Sequence, residues 1–286
     1  MNHASQEGLI AQDEHNSSEP ALAVFKTPDG REIFHHAAAE TKYVYQEIFE
    51  DHVYFRHGIS LAGGESLFDI GANIGLFTIF VKEHFKGVKV YAFEPSPEIF
   101  RILQANAARY DADSVSVYNC GMAARQGEAK FTFYPGYSIM SAFHANLDQD
   151  RETLRTGIRS QLLEKGMDAA EIQDRFLNTM VENALGSKRE HLCQLRTVSD
   201  IIDEDGIQAI GLLKIDAEGS ELDILAGVRD EHWGRVRQIV MEIHDPKGTA
   251  CPQARKLLEG RGYICAFEQE KRLSGSGIVN CYARRG

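Results

Sequence analysis

The chain has 286 residues, 43% of them hydrophobic and 26% charged, which is enough apolar material for one large domain with appendages. A net charge of −11 without any clustered Lys/Arg run argues against DNA or RNA as a partner, since nucleic acid demands a basic face. No apolar run approaches the ~18 residues that span a bilayer, residues 1–20 hold no signal-like segment, and five cysteines without a CxxC spacing fit reduced thiols, so a soluble cytoplasmic protein is expected.

Residues 1–20, rich in Ser, Asn, Gln, Glu and His, read as a disordered tail. Segments 21–25 and 31–35 flank Pro28-Asp29-Gly30 and predict a short hairpin. Aromatic residues then crowd 41–57 (Tyr43, Tyr45, Phe49, Tyr54 and Phe55), with a helix over 42–50. This extension over 21–60 either packs against the main domain or caps a pocket. From Glu65 the pattern becomes strand–helix alternation. Strands are expected at 66–69, 89–93, 114–118 and around Phe131 and Phe133, with helices over 74–85 and 97–110. Ser96 is placed to cap the second of these helices.

A polar, helical insert over about 144–190 interrupts the alternation, with helices at 151–165 and 169–185 broken near Gly166. Strand-like sequence resumes at 210–216 and 236–244, with helices over 220–226 and 252–261. Segments 263–267 and 278–283 close the chain as two strands whose hairpin would add an antiparallel edge. The order predicts an α/β domain over 61–286: a mostly parallel sheet with helices on both faces.

Ligands of open α/β sheets sit at the carboxyl ends of the strands, beside the switch in strand order. Three strand ends here carry suitable residues. The first is Asp69-Ile70-Gly71-Ala72-Asn73-Ile74-Gly75. Its glycines let the backbone turn tightly against a ligand, and free N–H groups of the following helix face the same place. A plain strand-to-helix turn would use the same glycines. The second is Glu94, 25 residues after Asp69, where a carboxylate accepts both hydrogens of a ribose diol. Together they indicate a nucleoside cofactor. NAD-dependent oxidoreductases and epimerases share both features, but their G-x-G-x-x-G spacing is broken here. Asp69 would also repel a pyrophosphate, whereas it suits the ammonium of a methionine moiety. S-adenosylmethionine is therefore expected over a dinucleotide.

The third strand end is Lys214-Ile215-Asp216-Ala217-Glu218-Gly219-Ser220-Glu221. It sets Asp216 and Glu218 where charge is costly unless paired or bound. Capping of the next helix, with Glu221 in its first turn, is the competing reading. The following strand ends in Glu242-Ile243-His244-Asp245 and brings another acid and an imidazole to the same rim.

With these residues assembled, the chain resembles the FkbM family of class I methyltransferases. The resemblance rests on Phe68-Asp69-Ile70-Gly71-Ala72-Asn73-Ile74-Gly75, Phe93-Glu94-Pro95, Lys214-Ile215-Asp216-Ala217-Glu218-Gly219 and Met241-Glu242-Ile243-His244, and runs from about Thr41 to the C-terminus. The stretch Phe133-Tyr134-Pro135-Gly136-Tyr137-Ser138-Ile139-Met140-Ser141, with its helical insert, is similar to members from polyketide and nonribosomal-peptide pathways. The resemblance implies a Rossmann-like seven-stranded sheet with an antiparallel seventh strand, and O-methylation of sugars or secondary metabolites. It implies that Asp69, Gly71, Asn73 and Gly75 flank the methionine part of the cofactor and that Glu94 holds the ribose. Ser96 and the turn of Cys120, Gly121 and Met122 would lie near ribose and adenine.

An alcohol is too weak an acid to ionise unaided, so transfer to oxygen needs a base or a metal. His244 is the favoured base, its unperturbed pKa being ~6.5; a structural histidine is the competing reading. Asp216, Glu218 and Glu242 would orient it or bind the substrate. A divalent cation such as Mg²⁺ held by Asp216 and its neighbours is the third option, not favoured because no three-ligand set is evident. The insert is placed to cover a small-molecule acceptor, free or bound to a carrier protein, or to act as a homodimerisation arm. Arg151, Arg155 and Arg159 recur every four residues. They form either a stripe that docks an acidic carrier or a solvated face bridging to Asp148 and Glu152. The readings from other classes are an NAD-dependent oxidoreductase and a non-catalytic nucleoside-binding module.

Overall fold

The computed structural model of the chain describes residues 21–164, 166–168, 171–270, 273 and 275–285. The disordered tail expected over 1–20 lies outside the described residues. The expected hairpin is β1 (Ala23–Lys26) paired antiparallel with β2 (Glu32–His35). α1 (Ala38–Tyr45) runs into a π-helical turn over Gln46–Glu50, and Tyr45, Ile48, Val53 and Tyr54 bury in the main core.

Alternation follows as β3 (Ser66–Ile70), α2 (Leu76–His84), β4 (Lys89–Phe93), α3 (Pro97–Asp111) and β5 (Val115–Tyr118). α3 starts where its sequence dictates. Ser96 Oγ accepts the Ile99 N–H, and Pro97 occupies the first turn, where a missing N–H costs nothing. Next come β6 (Gly121–Met122), β7 (Gly127–Phe133), the insert helices α4 (Leu147–Glu164) and α5 (Asp174–Leu185), and β8 (Arg189–Arg196). The chain ends with α6 (Val198–Glu204), β9 (Leu212–Ile215), α7 (Glu221–Ala226), β10 (Gln238–His244), α8 (Ala250–Glu259), β11 (Tyr263–Glu268) and β12 (Ile278–Arg285).

Seven strands form one sheet in the order β11-β12-β10-β9-β3-β4-β5. β3, β4, β5, β9 and β10 are mutually parallel, and β12 runs antiparallel to both β10 and β11. The antiparallel seventh strand is present, and the closing hairpin forms the expected antiparallel edge, with β12 inside and β11 outermost. β12 slots inside because Asn280, Cys281, Tyr282 and Ala283 are all buried, and β11 takes the edge. A strand buried on both faces reads as a continuous apolar run, and β9 (Leu-Leu-Lys-Ile) is buried throughout.

Side chains alternate across the sheet. Leu67, Val90, Leu212 and Val240 point to the face covered by α2, α3 and the N-terminal extension. Phe68, Phe93, Leu213 and Met241 point to the face covered by α6, α7 and α8. A smaller core of Tyr134, Leu154, Val181 and Leu185 joins α4 and α5 to the loop after β7.

Two elements were not expected. β8 pairs with β6 and β7 in a three-stranded sheet. α6 begins with a reciprocal capping box between Thr197 and Asp200. Strand order reverses between β3 and β9, so their carboxyl ends form the crevice where such sheets bind ligands.

Candidate active site

At the end of β3 the chain makes its tightest approach to a neighbour. Gly71 has φ +71°, and a Cβ there would lie 1.7 Å from the Asp216 carbonyl oxygen, so only glycine fits. Gly71 and Asn73 face a cavity of about 730 Å³, while Gly75, at φ +89°, sits behind them and opens α2. Glu94 closes this end of the cavity. Its Oε2 accepts the Asn73 N–H at 3.1 Å and its Oε1 the Ser96 N–H at 2.9 Å. Burial pushes the Glu94 carboxyl up to about 7, although those two amides and Lys214 work against it. Cys120, Gly121 and Met122 continue the same wall, and burial pushes the Cys120 thiol up to about 12.

Three expected contacts are corrected: Gly75, set behind the wall, and Asp69 and Ser96. Asp69 is 0% exposed and has no surface on the cavity. It accepts a hydrogen bond from Thr78 Oγ1 at 2.8 Å and pairs with Lys214 Nζ at 3.1 Å. Parallel register between β3 and β9 sets Asp69 beside Lys214, so the lysine claims its charge. It is therefore a buried counter-charge, and its supposed repulsion of a pyrophosphate is removed with it. Lys214 also donates to the Gly71 carbonyl at 2.8 Å and thereby steadies the glycine turn. Ser96 is likewise buried. Its hydroxyl is spent on the cap of α3, and its N–H reaches the cavity only through Glu94.

The opposite end of the cavity is built by β9, α7 and β10. Asp216 Oδ2 accepts the Tyr54 hydroxyl at 2.8 Å. His244 stands among three carboxylates. Its Nδ1 lies 2.9 Å from Glu221 Oε1, and its Nε2 lies 3.0 Å from Glu218 Oε2 and 3.6 Å from Glu242 Oε1. Glu221, 3% exposed, also accepts the Gly219 N–H at 2.8 Å. Burial opposes charge on His244, yet the Glu218 and Glu221 carboxylates outweigh it and hold the imidazole well above its ordinary value. Burial also raises the carboxyls of Glu218 and Glu242. Glu218 sits at φ +44°, a left-handed backbone that costs a non-glycine residue about 1–2 kcal/mol.

Two sequence expectations change here. The Glu218 and Glu221 carboxylates favour the protonated ring of His244, so a base role has to work against them. A three-ligand set does exist. Glu218, Glu242 and His244 each offer one ligand atom, all within 4.8 Å of one another. It was hidden because its members lie on two neighbouring strand ends.

The remaining walls carry no motif. The N-terminal extension contributes Glu40, Tyr43 and Glu47, and α4 contributes Gln149, Asp150 and Leu154. Glu40 accepts the Ser138 hydroxyl at 2.6 Å and N–H at 3.1 Å, which pins the loop over 137–145 against the cavity. Tyr134 donates to Asp150 at 3.0 Å and ties the same loop to α4. Two arginines of the expected Arg151, Arg155 and Arg159 stripe are engaged across the insert and not along their own helix. Arg151 pairs with Glu182 at 2.9 Å, and Arg155 pairs with Asp174 at 2.7 Å, both acids lying on α5. Among the described residues no helix is long and apolar enough to cross a membrane.

Known proteins align with this arrangement. A family model described as "Methyltransferase FkbM domain" matches residues 69–265. The chain is 40% identical to the 31-O-demethyl-FK506 methyltransferase FkbM of Streptomyces tacrolimicus, over 92% of this chain and 97% of that protein. It is 38% identical to the AMB antimetabolite synthetase AmbE of Pseudomonas aeruginosa, over 90% of this chain and 12% of that longer protein. It is 32% identical to methyltransferase sdnD of Sordaria araneosa, over 85% of this chain and 91% of that one.

Proposed function

The chain belongs to the FkbM family of methyltransferases, which draw on S-adenosylmethionine, and from that premise we propose that it methylates a hydroxyl oxygen of a small secondary metabolite. The observation that carries this reading is the single continuous wall that runs from Glu94 to Glu218, Glu242 and His244 around one cavity. Its volume, about 730 Å³, lies in the ~300–1,000 Å³ range of small-molecule sites. Family membership sets aside the NAD-dependent reading.

The residues at the Glu94 end fit a methionine nucleoside. Each Glu94 oxygen holds one backbone amide and keeps a lone pair, which suits a ribose diol. The missing Cβ of Gly71 lets the Asp216 carbonyl close against the turn, which brings the ends of β3 and β9 together at the cavity, and Cys120, Gly121 and Met122 offer an apolar shelf for a base. When bound, S-adenosylmethionine supplies a methyl group made electrophilic by its sulfonium.

The chain's own task is to align the acceptor and manage its proton. Alignment is worth up to ~7–11 kcal/mol, and a positioned proton acceptor adds ~10²–10⁴-fold. Asp216, Glu218, Glu242 and His244 occupy the acceptor end and supply that second effect as one coupled group. Tyr54 holds Asp216 in place from the N-terminal extension. The extension and α4 cover the acceptor and exclude water. An oxygen acceptor is supported by the FkbM relative, whose name specifies an O-demethyl substrate. A secondary-metabolite setting is supported by the antimetabolite synthetase AmbE.

The test is to incubate the chain with S-adenosylmethionine and a panel of hydroxylated metabolites and to follow the mass gain of one methyl. Capping a candidate hydroxyl should abolish the gain, whereas methylation that persists on an amine would overturn the oxygen assignment. His244→Ala should lower turnover at least ~100-fold and leave cofactor affinity intact. Near-normal turnover would remove His244 from the machinery.

A further inference from the structure

We infer that Glu218, Glu242 and His244 bind one divalent cation of the Mn²⁺ class at the acceptor end of the cavity. What the ion does there rests on the methyl-transfer reading; its binding does not.

The geometry of the ligand atoms comes first. Neighbouring ligands on an octahedral ion at ~2.1 Å are ~3.0 Å apart. His244 Nε2 stands 3.0 Å from Glu218 Oε2 and 3.6 Å from Glu242 Oε1. All three ligand atoms lie within 4.8 Å of one another, close enough for side-chain adjustment to bring them onto one centre.

An independent observation concerns the histidine alone. Nε2 is buried and faces Glu218 Oε2 at 3.0 Å and Glu242 Oε1 at 3.6 Å, so it is aimed into the ligand set. The opposite nitrogen is held. Nδ1 meets Glu221 Oε1 at 2.9 Å, and Glu221 stands behind the cavity wall, itself fixed by the Gly219 N–H. A carboxylate on the far nitrogen of a histidine places the proton there and turns the other lone pair toward a metal. Glu221 has the position and burial of such a partner.

Charge points the same way. Glu218, Glu221 and Glu242 crowd one half-buried corner around His244, while Lys214 is shared between Asp69 and Asp216. Surplus negative charge away from water is costly unless it is paired, and a dication pairs it. Two carboxylates and one imidazole, with no thiolate, suit Mn²⁺ better than an all-oxygen Mg²⁺ or Ca²⁺ site or a soft thiolate site. Three protein ligands leave positions open toward the cavity. An acceptor hydroxyl placed there becomes more acidic, and its proton passes to Asp216.

The experiment uses the full chain, stripped with a chelator and dialysed, and adds Mn²⁺ alone. Electron paramagnetic resonance reads the loss of the free-ion signal. One ion per chain at micromolar affinity is expected, at least ~10-fold weaker in both His244→Ala and Glu242→Gln, with a smaller loss in Glu221→Gln. The histidine variant is decisive. Losing the imidazole leaves a merely acidic, non-specific site intact and weakens a ligated one. Thermal melts of the metal-free variants check that they fold.

No binding at millimolar Mn²⁺, or affinity unchanged or improved in His244→Ala, overturns the inference. Methyl transfer at full rate in excess chelator overturns the ion's part in acidifying the acceptor, while the transferase reading stands. Tight Mn²⁺ binding without any binding of S-adenosylhomocysteine supports the ion site and sinks the transferase reading instead.

Discussion

Lys214→Met should be among the most damaging single substitutions in the core, and its size follows from the surroundings of Asp69. In the native chain Lys214 Nζ lies 3.1 Å from Asp69 Oδ1, with the carbonyls of Gly71 and Ile70 at 2.8 and 3.3 Å. Burial works against the lysine's charge, but the Asp69 and Asp216 carboxylates keep its pKa raised. Methionine keeps most of the stem and removes the charge and the donors. The Asp69 carboxylate is then stranded at 0% exposure. Breaking a buried pair from one side costs about 3–5 kcal/mol. At about 2–4 °C per kcal/mol for a large domain, the melting midpoint should fall by roughly 6–20 °C. Circular dichroism melts of the single variant and of Asp69→Asn/Lys214→Met measure it. The double variant carries no stranded charge and should recover at least about half of the loss. A fall under about 2 °C in the single variant, or no recovery in the double, would refute the view of Asp69 as a buried counter-charge.

Other perturbations test other parts of the site. Gly71→Ala drives a Cβ into the Asp216 carbonyl from a backbone at φ +71°. It should cost at least about 2 kcal/mol in urea unfolding and abolish S-adenosylhomocysteine binding; wild-type stability would mean that the turn is looser than described. Glu94 yields a pH effect. Its folded pKa, about 7, lies above the ordinary 4.5 because of burial. Its contribution to stability is therefore fully present below pH ~4.5 and is lost as pH rises through about 7. The cofactor-free chain should lose about 2–3 kcal/mol from this group between pH 5 and 8. Glu94→Gln should flatten that slope in urea titrations, and an unchanged slope would discount the burial of this carboxyl.

Much of the architecture is legible because apolar runs and turn residues alternate cleanly between Glu65 and Tyr118. Burial of whole strands on both faces leaves few other arrangements for such a pattern. β8 escapes notice since Arg189, Glu190, Gln194 and Arg196 break any alternation, and Leu192 is 69% exposed. What makes it a strand is pairing with β7, a partner more than fifty residues earlier in the chain. α6 carried a readable signal in Thr197 and Asp200, three positions apart, ahead of Ile201 and Ile202.

At the site, the glycine turn and Glu94 follow from local rules, since each depends on its own strand end. Asp69 does not. Its fate depends on Lys214, which lies within the same motif set but meets it only through strand register. His244 likewise reads as a lone titratable ring until Glu218, Glu221 and Glu242 close around it. The walls supplied by Glu40 and Asp150 leave no sequence signature, because covering a cavity asks only for shape and a few hydrogen bonds, whereas the loop over 137–145 begins inside the Phe133 to Ser141 stretch that carried part of the resemblance.

Calorimetric titration of S-adenosylhomocysteine into the purified chain tests the central claim most directly. Saturable binding at one site per chain is predicted, weakened at least about tenfold by Glu94→Ala through the loss of charge-assisted hydrogen bonds, with no heat from NAD. Heat from NAD and none from S-adenosylhomocysteine would contradict the account.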